Sequence, residues 1–154
     1  MDLILWRHAQ AADALSGHSD LERELTAKGR RQAERVAAWL QRHLPSDAVV
    51  LASPARRTVQ TVQALDRDYR TDEALGPERD AHDLLATVGW PKAGGTVLVV
   101  GHQPTLGRVA ASLLAGVEQP WSVRKGALWW LRQRRRAGSR ETVLLAVHDA
   151  DGVP

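Results

Sequence analysis

The chain has 154 residues, 44% of them hydrophobic and 25% charged, which is the make-up of one globular domain large enough to bury a core. It contains no cysteine, so disulfides, thiolate metal sites and a cysteine nucleophile are excluded. Its apolar runs, such as Val97–Val100, fall far short of the ~20 residues of a membrane span. The opening Met-Asp-Leu-Ile-Leu-Trp-Arg-His lacks the basic region and cleavage site of a signal peptide, so the expected location is cytoplasmic. Net charge is only +3, yet 18 of the 21 basic residues are arginine, the side chain whose planar fork matches phosphate and carboxylate oxygens. Composition does not separate an anionic ligand from a bias toward arginine; position must.

Leu3-Ile4-Leu5-Trp6 is a continuous apolar run without helical period, and predicts a strand covered on both faces. A polar loop follows from Ala9 to Glu24. Thr26 suits the N-cap of a helix through about His43, with Ala33, Val36, Ala37, Leu40 and Leu44 at helical spacing. Ala48–Ala52 is the second buried strand. Ser53-Pro54 then opens a helix, with Pro54 suited to its first position and Val59, Val62 and Leu65 on its apolar face. Tyr69-Arg70-Thr71 predicts a short strand, and Asp80 caps a short helix through Val88.

Thr96–Val100 is the clearest buried strand in the chain, ended by Gly101-His102-Gln103-Pro104. Leu106, Val109, Ala110, Leu113 and Leu114 mark the next helix. Two last strands, Ala127–Gln133 and Thr142–His148, are joined by a turn over Arg134–Arg140 as an antiparallel hairpin. The order of elements predicts an α/β three-layer sandwich, a mostly parallel sheet with helices on both faces.

Polar residues interrupt the apolar strands at particular places. Arg7-His8 follows the first strand, Ser53-Pro54 the second and Gly101-His102 the third. In an open α/β sheet the ligand site lies beyond the carboxyl ends of the strands, so parallel neighbours would bring Arg7, His8, Ser53, Arg57 and His102 together beside a helix N-terminus, which attracts anions. This set suits a phosphoryl group. Arginines grip its oxygens bidentately. A neutral imidazole attacks phosphorus, provided its other nitrogen is fixed by an acceptor such as a backbone carbonyl. A second imidazole, protonated between anionic oxygens, stabilises the group in transfer. This chemistry requires no metal and no cofactor.

Leu5-Trp6-Arg7-His8-Ala9 resembles the Arg-His-Gly signature of the histidine phosphatase superfamily, whose fold is phosphoglycerate mutase-like, with Ala9 in the usual glycine's place. Ser53-Pro54-Ala55-Arg56-Arg57-Thr58-Val59-Gln60-Thr61 resembles that family's Ser-Pro-Leu-x-Arg-Ala-x-Gln-Thr segment, which puts the phosphate-gripping arginine at Arg57. Val99–Pro104 resembles the segment of the second histidine, and Arg23–Gly29 the Arg-x-Leu-Thr-x-x-Gly stretch. The resemblance covers Leu3 to about Leu114. The small size is most similar to the SixA-like phosphohistidine phosphatases, which lack cap insertions. It implies a hydrolase with His8 as nucleophile, a phosphohistidine enzyme intermediate and phosphohistidine on a signalling or phosphorelay protein, such as a histidine phosphotransfer domain, as substrate. Pro77-Glu78-Arg79-Asp80 is similar to the compact subgroup's Pro-x-x-Asp pattern, which makes Asp80 a candidate proton donor as well as a cap.

Other readings stay open at this point. A small phosphate ester or phosphopeptide is the alternative substrate, and a non-catalytic phosphate-binding module the alternative class. Phosphate or sulfate should occupy the pocket in any of them. His18, in the loop after His8, and Lys125, with Ser122 and Arg124, are further candidates to line it. His43 suits a helix C-terminus, while His82 and His148 show no partner pattern. The arginines between Arg132 and Arg140 predict a solvated hairpin tip, which steers an acidic protein partner rather than binding nucleic acid. The expected state is a monomer with no membrane partner. Trp6, Trp39 and one of Trp129 and Trp130 are expected in the core.

Overall fold

A computed structural model of the chain describes residues 1–152. One six-stranded sheet has the spatial order β3-β2-β4-β1-β5-β6, made of β1 (Asp2–Arg7), β2 (Val49–Ala52), β3 (Arg70–Thr71), β4 (Thr96–Gly101), β5 (Leu128–Arg136) and β6 (Ser139–His148). β4 pairs in parallel with β1 on one side and β2 on the other, and β3 extends the parallel part at the edge. β5 and β6 are antiparallel. This is the expected mixed sheet, mostly parallel, with a C-terminal hairpin.

Among the described residues four α-helices cover it: α1 (Ala27–His43), α2 (Arg56–Gln63), α3 (Ala81–Thr87) and α4 (Thr105–Ala115). The continuous apolar strands are explained by their alternation between two cores. Ile4 and Trp6 pack with Val36, Leu40, Val62, Leu98 and Val100 on the α1/α2 side. Leu3 and Leu5 pack with Leu84, Val97, Val99, Leu106 and Val109 on the α3/α4 side. Leu3, Ile4, Leu5 and Trp6 are all fully buried, each contributing about 1.5–3 kcal/mol relative to exposure.

α1 begins as its sequence predicts. Thr26 accepts the Gly29 amide at 3.0 Å, and Arg42 and His43 lie in the last turn, where positive charge favours the helix dipole. Gly29 has a packing reason: a Cβ there would stand 1.9 Å from the Gln10 carbonyl oxygen. The loop after β1 crosses α1 at that point, and Gln10 O also accepts the Thr26 amide at 3.0 Å.

Two element boundaries differ from expectation. α2 starts at Arg56, with Ala55 as its N-cap, so Pro54 stands before the helix and not at its first position. The reason is local: Ser53 Oγ accepts the Ala55 amide at 3.2 Å, and Thr58 Oγ1 donates to the Ser53 carbonyl at 2.8 Å, which closes a turn ahead of the helix. The hairpin is also tighter than a turn over Arg134–Arg140. β5 and β6 pair out to Arg136 and Ser139, with Ala137 and Gly138 both at positive φ, 48° and 82°, the geometry of a two-residue connection that follows strand twist. The arginines are therefore strand residues, and Arg134 pairs with Glu141 across the ladder at 2.6 Å.

Of the tryptophans, Trp6 is fully buried and Trp130 is 8% exposed. Trp130 Nε1 donates to Asp2 Oδ2, and Arg132 grips both oxygens of that carboxylate. Trp39 is only half-buried, contrary to expectation: its ring lies stacked on both His43 and His148 at the rim of α1. Trp129 turns to the other face, 6.2 Å from Trp121.

Candidate active site

β2, β4 and β1 are adjacent and parallel, so the residues that end them meet at the carboxyl end of these strands. The imidazoles of His8 and His102 lie with ring centroids 5.3 Å apart, although 94 positions separate them in the chain. Both residues are buried, as are Ser53 and Arg57.

Each ring is held at one nitrogen. His8 Nδ1 is 2.8 Å from the carbonyl oxygen of Ala9. A carbonyl only accepts, so Nδ1 carries the proton and Nε2 keeps its lone pair. His102 Nε2 is 2.8 Å from Ser53 Oγ, whose oxygen also accepts the Ala55 amide. The serine hydroxyl is then free to donate to Nε2 of a neutral ring, which puts that ring's proton on Nδ1. The backbone around His8 is equally fixed: its carbonyl accepts the Gly126 amide at 3.0 Å, and Ala9 N donates to Thr61 Oγ1 at 3.1 Å.

The guanidinium groups are oriented from behind. Arg7 Nη1 donates to the Val123 carbonyl at 2.8 Å. Arg57 Nη1 donates to the Asp20 carbonyl oxygen at 2.8 Å and Nη2 to its carboxylate at 2.9 Å. Nε of Arg7, Nε of Arg57 and Nδ1 of His102 are buried with no hydrogen-bond partner among the described residues. Buried polar atoms rarely stay unpaired; three at one site suit an anionic ligand with several oxygens.

Electrostatics agree. Burial, opposed by the Ala9 carbonyl and reinforced by the charges of Arg57, Arg7 and Arg23, pushes His8 down to about 4. His102 is pushed down to about 3 by burial first, then by His8 and Arg57, with Asp20 pulling the other way. At neutral pH both rings are neutral in the free protein, which leaves His8 Nε2 nucleophilic.

The remaining candidates fall farther out. Asp80 is exposed and accepts the Asp83 amide at 2.9 Å as the N-cap of α3. Its neighbour Arg79 accepts Thr105 Oγ1 at 2.6 Å, which ties that loop to the start of α4. His18 is exposed, with Nδ1 3.6 Å from Glu22. Lys125 is exposed in the loop that binds the His8 carbonyl, while its neighbour Arg124 turns away to Asp149 and Asp151. Asp80, His82 and Asp83 are grouped closely enough to face one ion, but both carboxylates already serve the α3 cap.

Two residues at the site escape sequence reasoning. Asp20 is 37 positions from Arg57, and no spacing rule joins a loop acid to a distant helix. Thr61 was within reach: it lies one turn after Arg57 on the buried face of α2, a polar residue where the pattern asks for an apolar one.

A cleft of about 360 Å³ opens beside these residues, between Asp20, Leu21, Pro54, Glu73, Pro77 and Glu78. A larger one, about 560 Å³, lies at Ser46, Ala48, Gln63 and Tyr69, at the entry end of β2 and so away from the strand ends that carry the imidazoles. No helix among the described residues is long and apolar enough to cross a membrane.

Residues 3–84 match the family model of the histidine phosphatase superfamily, branch 1. Among curated proteins the chain is similar to a phosphohistidine phosphatase SixA homolog of Haemophilus influenzae, 30% identical over 128 residues, covering 73% of this chain and 77% of that one. Among solved structures it is similar to a SixA-type protein of Agrobacterium tumefaciens, at TM-score 0.79 and 26% identity over 96% of both chains. It also matches the protein histidine phosphatase SixA complexed with tungstate, at TM-score 0.81 and 24% identity over 98% of both, which speaks for the fold. The matched span contains Arg7, His8, Ser53 and Arg57, which the fold gathers at the ends of β1 and β2, and the chain belongs to the histidine phosphatase superfamily, as a phosphatase of its phosphoglycerate mutase-like fold.

Proposed function

We propose that this phosphatase hydrolyses phosphohistidine on a protein, by way of a phosphorylated His8. The observation that carries the reading is the bond from His8 Nδ1 to the Ala9 carbonyl, which leaves Nε2 unprotonated on a ring whose centroid is 5.3 Å from that of His102. In the first step the Nε2 lone pair attacks phosphorus and the P–N bond to the substrate imidazole breaks. The departing ring takes a proton from solvent water, so it leaves as neutral imidazole. In the second step water attacks phosphorus, the P–Nε2 bond breaks, and inorganic phosphate departs while His8 returns to its starting tautomer.

Arg7, Arg57 and His102 hold the oxygens through the whole sequence. Their unpaired donors, Nε of each arginine and Nδ1 of His102, match the equatorial oxygens, where charge accumulates. A dianion among these groups opposes what depresses His102 in the free protein, so that ring takes up a proton as the anion binds. Ser53 positions it. The SixA complexed with tungstate, a tetrahedral oxyanion, supports the same use of this fold. Asp80 is the proposed donor to poorer leaving groups, and Lys125 and His18, both exposed, are proposed only as contacts for a protein substrate.

A protein substrate is supported by the chain's similarity to phosphohistidine phosphatases and by the exposed loop at Asp20 and Leu21 beside the cleft. The test compares a phosphohistidine-bearing phosphotransfer protein with aryl and sugar phosphates. The reading expects kcat/KM for the phosphoprotein to exceed the esters by at least about 100-fold, some 2.7 kcal/mol of transition-state preference. Equal efficiency on all would replace it with a general phosphomonoesterase.

A further inference from the structure

Arg57 is held in an unusual way for a residue that must bind an anion, because an aspartate already occupies part of it. Its side chain is 4% exposed, whereas that of Asp20 is 54% exposed. Asp20 takes Nη1 with its backbone oxygen and Nη2 with Oδ2, at 2.8 and 2.9 Å. Its other carboxylate oxygen accepts Arg23 Nη1 at 3.0 Å, and Arg23 Nε in turn holds the Ala12 carbonyl at 2.8 Å. Asp20 therefore links Arg57 to the loop that leaves β1.

A guanidinium has two edges suited to bidentate contacts, the end formed by Nη1 and Nη2 and the side formed by Nε and one Nη. Asp20 uses the end. The side remains, and its Nε is buried without a partner among the described residues. We infer that Asp20 is a positioning residue: by clamping Arg57 end-on, it presents the Nε/Nη2 side of the guanidinium to two phosphoryl oxygens. The inference rests on the assignment of the phosphoryl site above.

The arrangement also accounts for a carboxylate beside an anion site. Burial alone would raise the Asp20 carboxyl, but the bonds and charges of Arg23 and Arg57 hold it below its ordinary value, so it stays ionised and keeps both arginines. The groups acting on His102 are His8, Arg57 and Arg7, which disfavour its protonation, and Asp20, which favours it. Asp20 thus steadies one partner of the phosphoryl group and makes the other easier to protonate.

Two variants separate these roles. Asp20→Ala removes the carboxylate acceptor; Asp20→Asn keeps an acceptor of the same shape and removes the charge. Tungstate affinity, measured by calorimetry without turnover, should fall about 10- to 100-fold in Asp20→Ala, the scale of a lost charge-assisted hydrogen bond. Asp20→Asn should stay within about threefold of the parent protein. In both variants the alkaline limb of kcat, set by protonated His102 in the complex, should move to lower pH. Tungstate affinity in Asp20→Ala equal to or above the parent's overturns the inference, because Asp20 would then compete with the anion. Equal losses in both variants overturn it too, because charge and not the clamp would be the operative feature. Failure of the phosphohistidine assay alone leaves the tungstate comparison intact, so the two readings fail separately.

Discussion

The imidazoles at the site differ in what holds them, and that difference suits them to the two roles proposed for them. His8 is pinned through Nδ1 by a carbonyl, which can only accept; His102 is pinned through Nε2 by a hydroxyl, which can accept or donate. A ring with a carbonyl behind it presents a lone pair, suited to attack. A ring with a serine behind it can be neutral or charged without losing its partner, suited to a group that gains a proton when the anion arrives. Asp80 is a harder case, because one carboxylate has two possible jobs. Asp80→Asn separates them, since asparagine caps a helix about as well as aspartate. If Asp80 donates a proton, kcat on an alkyl phosphate should fall about 10²-fold or more, with a much smaller fall on phosphohistidine and an unchanged melting temperature. Equal rates for parent and variant on both substrates would assign Asp80 to the cap alone.

At the scale of elements, the site depends on close crossings rather than on long-range forces. Gly29 lets α1 approach the Gln10 carbonyl, and Gly107 lets α4 approach the Trp121 carbonyl, where an added Cβ would stand at 1.9 and 1.7 Å. Gln10 follows His8 by two positions, so a shift there reaches the proposed nucleophile. Gly29→Ala should destabilise the fold by about 1–3 kcal/mol, the usual effect of overpacking, and lower kcat through the displaced loop. A melting temperature and kcat both equal to the parent's would show that the loop yields freely.

This is also the scale at which the sequence was most and least legible. Continuous apolar runs identified β1, β2 and β4 because a strand covered on both faces leaves no polar positions, and the polar residues just past each run are those the fold brings together as the candidate site. Thr26 and Asp80 revealed helix starts because capping is a local interaction. The start of α2 was missed because a hydrogen-bonded turn at Ser53 overrides the preference of proline for a first helical position. The hairpin turn is narrower than the sequence predicts because five polar residues around Ala137-Gly138 resemble a loop, whereas cross-strand pairing at Arg134 and Glu141 is visible only in three dimensions. Asp20 stayed hidden for the same reason: its partner lies in another element. The stacking of Trp39 with His43 and His148 joins α1 to the end of β6, a contact no local pattern carries.

Across the whole molecule, the buried imidazoles couple the site to stability. His8 and His102 titrate near 6.5 when unfolded but are pushed to about 4 and about 3 in the fold. Between those values the unfolded chain binds more protons than the folded one, so stability is fully present above pH 6.5 and is lost as pH falls through the folded values. His148, lowered chiefly by burial, acts in the same direction. The melting temperature should therefore decline between pH 6.5 and 4, and a His8→Gln/His102→Gln variant should show a shallower decline. Parallel curves for the two proteins would mean that these rings are not held neutral by the fold.

The central claim is that phosphorus becomes bonded to His8. Incubation with a ³²P-phosphohistidine protein, followed within milliseconds by denaturation at alkaline pH, where a phosphoramidate survives, and by peptide mapping, tests it directly. The account predicts label on the peptide carrying His8, rising and decaying on the timescale of turnover, and no label or turnover in His8→Ala. Turnover at the full rate with no label on that peptide, or a His8→Ala protein as active as the parent, would contradict it.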